Sequence, residues 1–407
     1  MKPIELEHNF NLEMPDAHIA LGDANSGAGT GDEYWRNLWR EPMRTNQLKQ
    51  IQTLKNTLRK YTQVIVLGIG GSATGTRALC KALLTSEQPL HIVDNIDPNT
   101  VNQTINKAKE YDKNLTHTVV IVISKSGNTV ETIALCMSFY EAMPNATYVA
   151  ITGNGGALHE YAMKNNWALL PIPEGVGGRF SALSHVGLFP LALFDIDISL
   201  LLQGAADMDD ACKEEQNNPA LALAIGLTNA MKDGRKTHIM MPYANNLFPL
   251  AQWYVQLIAE SLGKINSRGE RVGPTPIAAM GSTDQHSVLQ LWREGPEDKV
   301  IGFLTIDEGP DIQLSNNALS TEFNWLSKQS MRCLLNAELQ ATLTSLKEAN
   351  QLTWVLRLPK CDCYSIGQFI ALWQITIAIA GRILCVNAYD QPGVELSKKL
   401  TKQHFQK

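Results

Sequence analysis

At 407 residues, the chain is long enough for two or three domains. Apolar residues make up 44% and charged residues 18%, which suits a packed core and excludes wholesale disorder. Thirty-five Lys and Arg against 40 Asp and Glu leave a net charge of −5 spread along the chain, so no basic footprint exists for nucleic acid or a membrane surface.

The opening residues carry Glu5 and Glu7 and have no apolar core of a signal peptide. From Tyr61 onward, β-branched runs alternate with helical patterns. Strands are predicted at 63–67, 91–93, 118–124, 148–152 and 167–171. Val119-Val120-Ile121-Val122-Ile123 is the kind of unbroken run that a parallel sheet buries on both faces. The segments between, such as 132–143, suit crossover helices. A helical stretch follows, broken by Pro219. A second alternation then begins: strand 238–241, helix 246–262, strand 275–279, helix 283–293, and strands 300–306 and 353–358. The helix 366–383 and a last helix after Pro392 close the chain. The apolar stretch 369–384 includes Gln374, Thr376, Gly381 and Arg382, so it reads as a buried helix and not a membrane span. The fold class is therefore α/β, two doubly wound domains with parallel sheets and terminal helices. The boundary falls near 195–215, giving units 1–200 and 201–407.

Seven scattered cysteines make no disulfide framework, and Cys361-Asp362-Cys363 lacks partners for a tetrahedral metal site. None of the nine histidines is paired at metal-ligand spacing. No metal or cofactor is expected, and the expected location is the reducing cytoplasm.

Two loops stand at the ends of predicted strands. Gly68-Ile69-Gly70-Gly71-Ser72 follows the first strand and opens a helix, so its N–H groups can approach an anion. Its glycines do not match the dinucleotide spacing, and the same turn also serves plain tight packing. Ser124-Lys125-Ser126-Gly127-Asn128-Thr129 follows the third strand and could cradle a phosphate with its hydroxyls and amides. Walker spacing is absent, and the alternative is an ordinary helix cap by Thr129. Neighbouring strands of an α/β sheet place ligands at such ends.

Four isolated residues are candidates for chemistry. Glu260 lies in the last turn of a helix, where the dipole disfavours its charged form and strengthens it as a base. Arg179 follows Gly175-Val176-Gly177-Gly178 and could line a pocket. His286 stands near a helix start, and Lys398 lies near the chain end. Each also fits a plain structural or surface role.

Together these segments resemble the phosphoglucose isomerase family. The matches are Gly68-Ile69-Gly70-Gly71-Ser72, Ser124-Lys125-Ser126-Gly127-Asn128-Thr129-Val130-Glu131-Thr132, Gly177-Gly178-Arg179-Phe180-Ser181, Glu260-Ser261-Leu262-Gly263-Lys264, Gln285-His286 and Asp390-Gln391-Pro392-Gly393-Val394-Glu395. They occur in the family's order. The resemblance implies two sugar-isomerase (SIS) domains and a cofactor-free aldose–ketose isomerase. Its reaction would interconvert glucose 6-phosphate and fructose 6-phosphate through a cis-enediol(ate), in glycolysis and gluconeogenesis. It further implies that Ser124, Lys125, Ser126 and Thr129 hold the substrate phosphate, with Gly71, Ser72 and Gln391 near the sugar. Glu260 would move the proton between carbons 1 and 2, Arg179 would stabilise the enediolate, and His286 and Lys398 would assist ring opening. The family takes its histidine from a neighbouring subunit, so a homodimer with a shared site is implied. Asn128 and Ser397 depart from the usual threonine and glycine.

Three other readings use the same residues. One is an isomerase that also accepts mannose 6-phosphate. Another is a non-catalytic SIS-type sugar-phosphate regulator, which could dispense with Glu260, Arg179 and His286. The aminosugar isomerase half of glucosamine-6-phosphate synthase would need an N-terminal nucleophilic cysteine, whereas this chain starts Met1-Lys2-Pro3.

Overall fold

In the computed structural model, residues 2–58, 60–85, 87–315 and 320–404 are described. The first strand, β1 (Glu5–His8), pairs with the far end of the chain. The sheet of the first half then forms from β2 (Gln63–Leu67), β3 (Leu90–Val93), β4 (Thr118–Ser124), β5 (Thr147–Thr152) and β6 (Ala168–Pro171). Its order is β3-β2-β4-β5-β6 and every pairing is parallel. The chain leaves β2 toward β3 on one side and returns to β4 on the other. The crevice between β2 and β4 is therefore a topological switch point, where α/β sheets take their ligands.

The second half supplies β7 (Thr237–Pro242), a short antiparallel hairpin β8 (Lys264–Ile265) and β9 (Arg271–Val272), then β10 (Thr275–Ala278), β11 (Lys299–Glu308) and β12 (Leu352–Lys360). The larger sheet runs β1-β12-β11-β7-β10. It is parallel except at β1, which lies antiparallel to β12 with Glu5 opposite Arg357. The sequence gives no strand signal at β1, where Leu6 is the lone apolar residue among charges.

The apolar runs divide by the period of two that strands impose. Val119, Ile121 and Ile123 of β4 face a central core, while Val120 and Val122 face an outer one. In the second sheet, Val300 and Leu304 of β11 enter the same central core, and Ile301 and Phe303 face away. The helix Cys363–Ile383 lies in that central core, buried from Tyr364 to Gly381. Its apolar length reflects burial in protein. Asp362 caps its start by accepting from the Ser365 N–H at 2.8 Å.

One expected element is broken. The segment predicted as a single helix over 283–293 is a 3-10 turn, Thr283–His286, followed by a helix at Leu289–Glu294. Asp284 is the cause: its carboxylate accepts the Met280 N–H at 2.7 Å and the Ser287 hydroxyl at 2.8 Å, in competition with the helical pattern.

Candidate active site

The glycine turn after β2 and the serine loop after β4 stand at the two sides of the switch point. In the serine loop, Ser124 is buried and its hydroxyl donates to Thr129 Oγ1 at 3.1 Å. Thr129 occupies the N-cap of the helix Val130–Ala142 but makes no side-chain cap bond, so its hydroxyl is turned to Ser124. The helix-cap alternative does not describe it. The Ser126 hydroxyl accepts the Asn128 N–H at 3.2 Å. Asn128 accepts the Ala157 N–H at 2.9 Å, which ties the loop to the next helix. Lys125 extends toward solvent. Partial burial pulls its pKa down from the usual lysine value; Asp32 and Glu174 oppose that shift and Arg179 adds to it.

Gly71 explains the glycine turn in packing terms. A Cβ there would lie 2.3 Å from the Gly178 carbonyl carbon and 2.7 Å from the Arg179 nitrogen. No side chain fits between those two backbones. The tight-packing reading of this turn is thus correct for Gly71, and what it packs against is the residue pair that carries the arginine. Gly70, at φ +56°, lies under Gln256, whose Nε2 would stand 3.4 Å from an added Cβ.

Gln256 and Glu260 share one face of the helix Phe248–Leu262, four residues apart, and Gln256 Nε2 donates to Glu260 Oε1 at 3.0 Å. The helix ends at Gly263, so Glu260 occupies its last turn, at the carbonyl end. Beside it stands a cation that the local sequence does not reveal. Arg179 Nη1 lies 3.3 Å from Glu260 Oε2. The Arg179 side chain is 2% exposed and that of Glu260 31%, so the arginine is a wall of the site and the carboxylate opens to solvent.

Arg179 is held on almost every side. Its Nε donates to the Ser261 hydroxyl at 2.7 Å, and its Nη2 donates to the Ala388 carbonyl and, at 3.0 Å, to the Asp390 carbonyl. A guanidinium has five N–H donors. These contacts and Glu260 use four, which leaves one Nη1 proton without a partner among the described residues. Burial lowers the Arg179 pKa from its usual value, and Glu260 opposes that shift. Lys264 fixes the same segment by an ion pair to Asp390 at 2.6 Å.

The structure thus gathers Gly71, Arg179 and Glu260 into one group, with Lys125 within electrostatic reach and Ser72 next to Gly71 in the turn. It does not bring the other candidates into contact with that group. His286 is exposed and is not among the partners of Arg179 or Glu260. Lys398 pairs with Glu395 at 2.8 Å on the exposed helix Glu395–His404. Gln391 is exposed beside the tethered Asp390. Gln256, Ser261, Lys264 and Asp390 take part in the geometry but were not singled out by sequence. The only signal for Ser261 and Lys264 was their place next to Glu260 in the quoted segment.

Comparison with known proteins identifies the family. The phosphoglucose isomerase family model matches residues 42–407. A probable glucose-6-phosphate isomerase of Methanococcus maripaludis is 34% identical over 87% of this chain and 81% of its own. A glucose-6-phosphate isomerase of Thermus thermophilus is 35% identical over 91% of this chain and 90% of its own. Among solved structures, a hypothetical protein of Thermus thermophilus superposes with a TM-score of 0.88 at 30% identity, covering 98% of this chain and 100% of that one. A glucose-6-phosphate isomerase of Chlamydia trachomatis superposes at 0.76 with 26% identity, covering 89% of this chain and 73% of that one. The chain belongs to the phosphoglucose isomerase family.

Proposed function

We propose that this protein interconverts glucose 6-phosphate and fructose 6-phosphate by proton transfer between carbons 1 and 2. The observation that carries the reading is the Arg179–Glu260 pair, a buried cation clamped by neutral partners against a solvent-facing carboxylate. An aldose–ketose shift needs those two groups side by side. Glu260 takes the proton from carbon 2 of the open-chain aldose and returns it to carbon 1. The oxygen that gains charge in the enediolate meets the remaining Nη1 proton of Arg179, already fixed in place before reaction.

The phosphate binds at the serine loop, where Ser124, Ser126 and Thr129 offer hydroxyls before the start of a helix and Lys125 adds charge. Gly71 and Ser72 border the sugar, and Gln391 reaches it from the segment that Arg179 and Lys264 hold. His286 and Lys398 open the ring. The exposure of His286, with no bond to Arg179 or Glu260 in its own chain among the described residues, supports a homodimer in which the histidine of each copy completes the other's site. We read the chain as units 1–200 and 201–407, with β1 crossing to the second sheet.

A coupled assay with glucose, mannose and glucosamine 6-phosphates as separate substrates tests the reaction. Turnover of glucose 6-phosphate is expected. Absence of turnover with all three, despite binding, would leave a sugar-phosphate regulator. Mixing a Glu260→Gln protomer with a His286→Ala protomer tests the shared site, because each heterodimer should regain about one intact centre. Demonstrated heterodimers without activity would refute it.

A further inference from the structure

The 3-10 helix Gly31–Asn37 precedes residue 42, where the family match begins. It nevertheless packs against two segments that bear on the catalytic arginine. On one side is the loop leading into Arg179. Gly175 has φ +78°, and a Cβ there would meet the Gly31 carbonyl oxygen at 2.2 Å and Tyr34 Cβ at 2.8 Å. Next to it, the fully buried Trp35 stacks on Phe180 with ring centroids 5.1 Å apart. Phe180 in turn meets the Tyr389 ring at 5.3 Å.

On the other side is Glu33, which is 5% exposed and forms an ion pair with Arg382. Arg382 is anchored at its other nitrogen by the Ala378 carbonyl at 2.8 Å. The Tyr389 hydroxyl is buried and makes no hydrogen bond among the described residues, and Glu33 and Arg382 are the charges that act on it. Gly381, next to Arg382, backs onto Ala388, where an added Cβ would stand 3.0 Å from Ala388 Cβ. Tyr389 stands between Ala388 and Asp390, the two residues whose carbonyls accept both Nη2 protons of Arg179. A carboxylate buried this deeply is tolerated only when paired. Its pair, Arg382, stands beside Tyr389, the residue between the two carbonyls that orient the guanidinium.

We propose that Glu33 is a positioning residue for the isomerase reaction. Its ion pair with Arg382, set against Tyr389, fixes the 388–390 carbonyls, and these aim Arg179 at the developing oxyanion. This role rests on the reaction proposed above and adds to it a residue outside the family match. Glu33 touches no substrate; it acts through Arg179. A 1 Å misplacement of a catalytic group lowers rate by about 10²-fold, so a loosened 388–390 segment is visible in kcat.

The test is Glu33→Gln in the full chain, with kcat, KM for fructose 6-phosphate and melting temperature measured together. The expected result is a kcat lower by at least about ten-fold, with KM within about two-fold, in a variant that still folds. A purely structural Glu33 would move the melting temperature and leave kcat alone. The same change is then made in an Arg179→Lys background, which keeps the cation and loses the planar fork. There Glu33→Gln should alter the residual kcat by less than about two-fold, because no guanidinium remains to be aimed. Tyr389→Phe, which keeps the ring contact with Phe180, lowers kcat in the same manner and serves if Glu33→Gln does not fold. Wild-type kcat in a folded Glu33→Gln or Tyr389→Phe, or an equal loss in both backgrounds, would overturn the inference. A wild-type protein that fails to isomerise glucose 6-phosphate would overturn the reaction instead, and the control assay separates the two.

Discussion

Replacing Gly71 by alanine asks whether one backbone contact sets the catalytic arginine. The added methyl would sit 2.3 Å from the Gly178 carbonyl carbon, 2.7 Å from its oxygen and 2.7 Å from the Arg179 nitrogen, where ordinary contact begins at 3.4 Å. All three are backbone atoms, so no rotamer change relieves the overlap. The two segments must part by about 1 Å, and a displacement of that size at a catalytic group lowers the rate by about 10²-fold. The overpacking itself should destabilise the fold by about 1–3 kcal/mol. Gly177→Ala is the control two residues from Arg179, since its Cβ would meet only Phe180 Cδ2, at 3.4 Å. The assay is kcat for fructose 6-phosphate on both variants, with circular dichroism to establish folding. A folded Gly71→Ala enzyme at wild-type kcat would show that the contact with Gly178 does not place Arg179.

Three further outcomes follow from other parts of the molecule. Asp209 is buried, with Arg36 Nε, Trp39 Nε1 and Arg40 Nη2 at 3.1, 3.1 and 2.7 Å. Asp209→Asn should therefore lower unfolding free energy by about 3–5 kcal/mol, read as a reduced urea midpoint at constant slope. His185 and His238 are fully buried, and burial pushes each down to about 4 from 6.5. The unfolded chain then binds protons that the folded one refuses, so stability is complete above pH 6.5 and falls between about 6.5 and 4. The loss is roughly 3 kcal/mol per histidine, and urea midpoints that stay flat across that window would contradict it. The double change Ser126→Ala and Thr129→Ala removes two proposed phosphate donors of roughly 1.5–3 kcal/mol each. It should raise KM for fructose 6-phosphate by at least about 10²-fold; an unchanged KM would remove the loop from the phosphate site.

The first sheet was legible because its strands are buried on both faces. Seven consecutive residues of β4, Thr118–Ser124, are buried, so the run had to be apolar or small and read as a strand without help. The edge strand β1 was not legible. Glu5 and Glu7 flank Leu6, and the pairing that makes it a strand comes from Trp354 to Arg357, far along the chain. The helix expected over 283–293 failed for a local reason: the side chain of Asp284 takes backbone donors, and no periodicity scan registers that. The helix Met331–Glu348 was not singled out, because its buried residues are few and spread among polar ones.

The site divides along the same line. The glycine turn and serine loop could be found because they follow strands, and strand ends in a parallel sheet are ligand positions. What could not be found is who touches whom across the chain. Arg179 meets Ser261 and the carbonyls of Ala388 and Asp390 from 82 to 211 residues away. Glu260 illustrates the consequence. Its place at the helix carbonyl end was readable, whereas the cation 3.3 Å away was not. The serine loop shows the converse, since the local cap that was the alternative reading of Thr129 gives way to a hydroxyl contact with Ser124.

The central claim is that Glu260 carries the proton, and Glu260→Gln tests it most directly. Glutamine keeps the shape and an acceptor toward Arg179 while removing the basic oxygen. Isomerisation and exchange of the carbon-bound hydrogen with deuterated solvent are to be measured on one preparation, with anomerisation of glucose 6-phosphate as the internal control. The account predicts that isomerisation and exchange both fall by on the order of 10²–10⁴, with KM little changed. Anomerisation, assigned to His286 and Lys398, should persist. Isomerisation and exchange near the wild-type rates would show that Glu260 is not the base.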